Sequence, residues 1–93
     1  MKQVLVYTMK GCPHCEEVKE ILENENIEFL ERDIDKYKDE YRLFKEATEN
    51  EFVPAFFLLE TTDNNEYKPT LLAPDRDFNE LTEAVQKVKK FLM

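Results

Sequence analysis

The chain has 93 residues, of which 42% are hydrophobic and 37% are charged. This length and composition predict a single domain over residues 1–93, built on one hydrophobic core. Thirteen basic and twenty-one acidic residues give a net charge of −8, which disfavours binding to nucleic acid or to an anionic membrane surface. No apolar stretch is long enough for a signal-peptide core or a membrane span, so we expect a cytoplasmic protein.

The first half of the chain alternates between predicted strands and helices. Gln3–Thr8 is an apolar run typical of a buried strand. A helix should begin at Pro13, because proline suits the first helical position, and should end at Asn24–Asn26. A second strand is predicted over Ile27–Ile34 and a second helix over Lys36–Thr48. The side chains expected to point inward from these two elements are Ile27, Phe29, Leu30, Tyr37, Tyr41 and Phe44.

The second half predicts an antiparallel hairpin followed by a helix. Strands are expected over Ala55–Glu60 and Tyr67–Ala73, and Pro69 should place the second of them at a sheet edge. Asp77 and Glu80 resemble a capping box at the start of the last helix. Its apolar stripe consists of Phe78, Leu81, Val85, Val88 and Leu92. The order βαβαββα predicts an α/β fold, with a four-stranded mixed sheet flanked by three helices.

Both cysteines and the only histidine fall in the motif Cys12-Pro13-His14-Cys15, directly after the only glycine. Two thiols separated by two residues, at a turn from strand to helix, are typical of a redox pair. Cys15 lies on the apolar stripe of the predicted helix and should face inward, whereas Cys12 should be the exposed thiol. In a reducing compartment, a disulfide here would be catalytic and not structural.

Cys12 is well placed to act as a thiolate. A helix N-terminus presents unpaired N–H groups and the positive end of the helix dipole, both of which stabilise an anion. Lys10, Pro13 and His14 are candidates for tuning the thiol pair. We expect Cys12 to attack a target disulfide and Cys15 to resolve the mixed disulfide that forms.

The chain resembles the glutaredoxins, within the thioredoxin-like fold, over essentially its whole length. The resemblance rests on Tyr7-Thr8 at the end of the first strand, on the Cys-Pro-x-Cys motif, and on Val53-Pro54 before the third strand. It implies a cis peptide bond before Pro54, beside the cysteines, and backbone groups of Val53 that bind a substrate. It also implies glutathione as co-substrate, with substrate or glutathione contacts from Tyr7, Val53, Pro54, Arg76 and Asp77.

Several positions depart from the glutaredoxin pattern. His14 stands where the family usually has Tyr or Phe, and Phe52 stands where Thr commonly precedes Val-Pro. Glu51 replaces a basic residue that often helps to hold a glutathione carboxylate, and Ala73-Pro74 replaces Gly-Gly. These changes leave the thiol chemistry intact and the reductant open. The alternative to glutathione is thioredoxin reductase, with ribonucleotide reductase as one candidate electron acceptor.

Two other classes of function fit the sequence less well. A zinc site is disfavoured, because zinc usually requires four ligands in two separated pairs and the chain has one pair. A glutaredoxin-fold module could instead bind an iron–sulfur cluster through glutathione, or act as an adaptor without turnover. We expect a monomer with no bound metal or cofactor, whose partners are glutathione and proteins that contain disulfides.

Overall fold

A four-stranded sheet with the strand order β2-β1-β3-β4 forms the centre of the computed structural model, which describes residues 1–93. The strands are β1 (Lys2–Thr8), β2 (Leu30–Asp33), β3 (Ala55–Thr61) and β4 (Tyr67–Leu72), and the helices are α1 (Pro13–Asn24), α2 (Lys38–Thr48) and α3 (Leu81–Leu92). β1 and β2 are parallel, and the other two pairs are antiparallel. The predicted element order and mixed sheet are confirmed. None of the helices has the length and hydropathy that crossing a membrane requires.

Both faces of the sheet are buried. Successive side chains along β1 and β3 point to opposite faces, and both faces carry apolar side chains. On one face, Val6 and Phe56 pack with α1 and α3 in a cluster that includes Val18, Leu22 and Val88. On the other face, a smaller cluster joins the sheet to α2, and its members are Tyr7, Tyr41, Phe44, Ala55 and Ala73. The predicted inward positions of Tyr41 and Phe44 are therefore confirmed.

The second strand is shorter than predicted. It covers Leu30–Asp33, and the residues before it approach the sheet without joining it. Ile27 and Phe29 pack against the larger core cluster, as predicted. The inward position expected for Leu30 is wrong, because 45% of this residue is exposed. Leu30 is the first residue of an edge strand, which has a neighbouring strand on one side only.

The second helix begins two residues later than predicted. Tyr37 is its N-cap residue and is not part of the buried face. Its ring is exposed, with the Arg32 guanidinium 4.5 Å from the ring centroid. Tyr37 is spaced from Tyr41 and Phe44 as if it shared their helical face. This spacing predicts a common face only within a helix, and Tyr37 precedes the helix.

The capping box expected at Asp77 and Glu80 is wrong. The N-cap of α3 is Glu80, which makes no side-chain cap hydrogen bond. The Asp77 carboxylate instead accepts the amide of Ala73 at 2.8 Å. The Asp77 carboxylate is therefore used in the turn after β4, before α3 begins, and does not cap the helix. β4 contains Pro69, which pairs with Leu59 at the outer edge of the sheet, as predicted.

Candidate active site

A tight turn connects β1 to α1 and presents the two cysteines. The Cys12 amide donates to the Met9 carbonyl at 3.2 Å. Gly11 has a φ of 78°, a left-handed conformation that glycine adopts without steric cost. Pro13 is the first residue of α1. We call residues Met9–Cys15 the redox turn.

Cys12 and Cys15 form a disulfide with their Cα atoms 5.3 Å apart. Cys12 is the N-cap residue of α1, and its Sγ accepts the amide of Cys15 at 3.2 Å. In the reduced protein, the same amide and the helix dipole would favour a negative charge on this sulfur.

The exposure predicted for the two cysteines is correct in order but not in degree. Cys15 is 1% exposed and Cys12 is 8% exposed. The expectation that Cys12 is an exposed thiol is therefore wrong for the disulfide form, in which it is buried. Its sulfur is bonded to Cys15 and accepts the Cys15 amide at the N-terminus of α1.

The candidate tuning residues lie on the open side of the turn. Lys10 and His14 are exposed, and His14 Nδ1 lies 3.6 Å from Glu17 Oε2. His14 also lines a groove of about 420 Å³ between α1 and the start of α3. No group of three or more His, Cys, Asp or Glu side chains is arranged to hold a metal ion.

The Val53–Pro54 segment lies beside the redox turn. The peptide bond between these residues is cis, as the resemblance implies. Ala55 pairs with Tyr7 in the β1–β3 register, so Pro54 enters the sheet next to the end of β1. The redox turn follows directly after β1. The Val53–Pro54 segment is therefore its neighbour.

Tyr7 is buried on the opposite face of the sheet from α1. Its ring packs against Tyr41 and Phe44 with centroid distances of 5.4 and 4.9 Å. Its hydroxyl donates to Glu40 Oε1 at 2.8 Å. Burial first, and then this carboxylate, raise the pKa of Tyr7. The structure does not bring the Tyr7 hydroxyl to the surface beside the cysteines.

Arg76 and Asp77 lie in the loop after β4. Arg76 Nη1 is 3.8 Å from Asp77 Oδ2, and that oxygen also accepts the Ala73 amide. The side-chain amide of Asn50 donates to the Pro74 carbonyl at 2.5 Å. Asn50 therefore connects this loop to the segment that leads to Val53–Pro54. Sequence reasoning missed Asn50, because an asparagine in a connection carries no pattern that predicts a distant partner.

A charged network behind the redox turn was also missed. The Thr8 hydroxyl donates to Glu31 Oε2 at 2.8 Å, and the Lys19 ammonium donates to the same oxygen at 2.9 Å. Lys19 Nζ is also 3.0 Å from Glu16 Oε1. We call these four side chains the Glu31 network. The spacing of Glu16 and Lys19 on a helix was a usable signal for one pair, whereas the link to Glu31 depends on the fold.

Comparisons with known proteins bear on the family and the fold of the chain. A family model described as glutaredoxin matches residues 4–60. Glutaredoxin 1 from Francisella tularensis, crystallised with cacodylate, is 25% identical, with a TM-score of 0.55 over 99% of this chain and 98% of that one. A structure described as a malarial protein is 22% identical, with a TM-score of 0.62 over 100% of this chain and 99% of that one.

The thioredoxin-like protein BC3987 is 20% identical, with a TM-score of 0.59 over 96% of this chain and 99% of that one. The search of curated protein sequences finds no match. The structural neighbours confirm the predicted thioredoxin-like fold.

Proposed function

The chain belongs to the glutaredoxin family, and on that premise we propose that it is a glutathione-dependent dithiol oxidoreductase that reduces protein disulfides or glutathione mixed disulfides. The observation that supports this most directly is the Cys12–Cys15 disulfide at the N-terminus of α1, with the Cys15 amide 3.2 Å from Cys12 Sγ. This arrangement provides a stabilised nucleophile and a second thiol within bonding distance. It requires no bound cofactor.

The proposed reaction transfers two electrons from the reduced pair to a target disulfide. The Cys12 thiolate attacks one target sulfur, so that a Cys12–target bond forms and the other target sulfur leaves as a thiolate that takes up a proton. The Cys15 thiol loses its proton and attacks Cys12 Sγ, which releases the second target thiol. The products are two target thiols and the Cys12–Cys15 disulfide. Two glutathione molecules would restore the dithiol and leave as glutathione disulfide.

The surroundings of the redox turn contain groups that could bind glutathione. Backbone groups of Val53 lie at the entry to β3 and are suited to bind an extended peptide. Lys10 and Arg76 are exposed cations that could pair with the glutathione carboxylates. We propose that the protein works as a cytoplasmic monomer, with glutathione and disulfide-containing proteins as its partners.

A second candidate is a glutaredoxin-fold electron donor that thioredoxin reductase reduces, with ribonucleotide reductase as one acceptor. Glu51 and Ala73-Pro74, which depart from the family pattern for binding glutathione, keep it open. Asp77 is already occupied by the Ala73 amide, and Arg76 lies beside Asp77. The Ala73 contact therefore leaves the Asp77 carboxylate less free to bind glutathione.

Two coupled assays distinguish the candidates. The oxidised protein is mixed with a disulfide substrate and NADPH, and NADPH consumption is followed with either glutathione plus glutathione reductase or thioredoxin reductase. We expect fast turnover with the glutathione system. Fast turnover only with thioredoxin reductase would replace the first candidate by the second.

Substitutions of the two cysteines test the division of roles. Cys12→Ser should abolish turnover with both systems, since no nucleophile remains. Cys15→Ser should accumulate mixed disulfides with protein targets, which non-reducing gels and mass spectrometry would detect, and it could still reduce glutathione mixed disulfides. Turnover by the Cys12→Ser variant would refute the assignment.

A further inference from the structure

The Glu31 network contacts the chain on both sides of the redox turn. Thr8 comes immediately before the turn, and its carbonyl accepts the Ile34 amide at 2.9 Å. Glu16 comes immediately after it, and its amide donates to the Cys12 carbonyl at 3.3 Å. Lys19 lies four residues beyond Cys15, which is about 6 Å along the helix axis. One carboxylate on β2 thus connects the strand before the disulfide to the helix after it.

The network also fixes where the positive charge of Lys19 lies. Lys19 is the only lysine or arginine of α1, and its ammonium is shared between Glu16 and Glu31. Glu31 first, and then Glu16, raise the pKa of Lys19. Lys19 first, and then Thr8, lower the pKa of Glu31. Both shifts favour the ionised forms of Lys19 and Glu31, so this ion pair is present at neutral pH.

The other basic side chains considered for the redox pair, which are Lys10, His14 and Arg76, are not part of this network. Lys10 and His14 are exposed, and His14 pairs with Glu17. Arg76 lies next to Asp77 in the loop after β4. Lys19 is the cation whose side chain is drawn toward β2, because Glu31 and the buried Thr8 hydroxyl meet there.

We propose that Glu31 is a positioning residue for the redox pair: it holds α1 against the end of β1 and compensates the positive charge of Lys19 near the redox turn. The inference rests on the proposed thiol–disulfide function. A cation that stabilises a thiolate favours the reduced form and makes a pair more oxidising. With Glu31 in place, the protein should therefore be a stronger reductant than it would be if Glu31 did not compensate the charge of Lys19.

Two substitutions with opposite charge effects test the proposal. Glu31→Gln removes a negative charge and leaves Lys19 paired with Glu16 alone, so the Cys12 pKa should fall and the reduction potential should become less negative. Lys19→Met removes the cation and leaves two carboxylates, so both quantities should move the other way. Thiol pKa is followed by the ultraviolet absorbance of the thiolate. The potential is measured by equilibration with dithiothreitol buffers.

The opposite signs separate this role from a purely structural one. Both substitutions break the same network, so a loss of packing alone would shift the potential in the same direction and would overturn the proposal. The matched controls are Glu28→Gln and Lys90→Met, which change exposed residues without ion pairs and should leave the potential unchanged. The shifts should also shrink at about 1 M salt, where the screening length is about 3 Å.

The measured potentials distinguish a wrong role for Glu31 from a wrong proposed function. A wild-type disulfide that does not exchange with dithiol buffers would overturn both. A wild type that equilibrates normally, with both variants at its potential, would overturn only the role of Glu31. Circular dichroism of each variant checks that the fold is retained, which we expect because Glu31 lies partly exposed on an edge strand.

Discussion

The residue that caps α1 is a cysteine. Helix N-caps are usually Ser, Thr, Asp or Asn, whose side-chain oxygen accepts an amide of the first turn. Here Cys12 Sγ accepts the Cys15 amide and also forms the disulfide. In the proposed reaction the same atom would cap the helix and attack the target, so the hydrogen bond that supports the helix end would also stabilise the thiolate.

A prediction at the same scale concerns the Tyr7 hydroxyl. Tyr7→Phe should lower the free energy of unfolding by about 1–2 kcal/mol at pH 7, because it removes a partly buried hydrogen bond to a carboxylate. The folded-state pKa of Tyr7 is raised, so this contribution is present below the ordinary tyrosine pKa of about 10 and is lost as the pH rises above it. The difference between wild type and variant should therefore narrow above about pH 10.

Urea denaturation at several pH values measures both effects. Tyr67→Phe is the matched control, because Tyr67 is exposed and its hydroxyl makes no hydrogen bond to the protein. This variant should match the wild type at pH 7. If the free energies of unfolding of the wild type and Tyr7→Phe differed by the same amount from pH 7 to high pH, the raised pKa of Tyr7 in the folded protein would be contradicted.

At the scale of elements, the sequence predicts α1 better than β2. Pro13 at the first helical position and the stripe of Cys15, Val18 and Leu22 agree with the observed helix. Ile27 and Phe29 look like strand residues because they are apolar, yet they pack against the core from an irregular segment. Hydrophobic pattern indicates burial, whereas strand bounds depend on hydrogen bonds to a neighbour that the pattern does not reveal.

The packing of α1 gives a second prediction. Leu22 is fully buried between the sheet and α3, whereas Leu43 on α2 is 64% exposed. Leu22→Ala should lower the free energy of unfolding by about 2–5 kcal/mol. Leu43→Ala, the matched control, should change it by less than about 0.5 kcal/mol. Urea denaturation at neutral pH measures both, and similar losses in the two variants would contradict the assigned core.

At the scale of the whole molecule, the fold brings separate segments to the end of the sheet where β1 leads into the redox turn. The Cys-Pro-x-Cys motif and Val53-Pro54 could be predicted, because each is a local pattern that resembles a known family. Asn50, Lys19 and Glu31 could not, because their roles come from contacts with residues that lie far away in the sequence. Asp77 was misassigned because a loop contact competes with the local capping pattern.

The two edge strands have a consequence for how the molecules behave in concentrated solution. β4 contains Pro69, which has no amide hydrogen to donate, and β2 has four residues, three of them charged. Short, charged or proline-containing edges are poor templates for intermolecular strand pairing. Pro69→Thr should therefore increase self-association at high protein concentration, as measured by light scattering. If Pro69→Thr scatters like the wild type, the proline is not the barrier. The same features would protect the sheet from growing into aggregates by the addition of strands from other molecules.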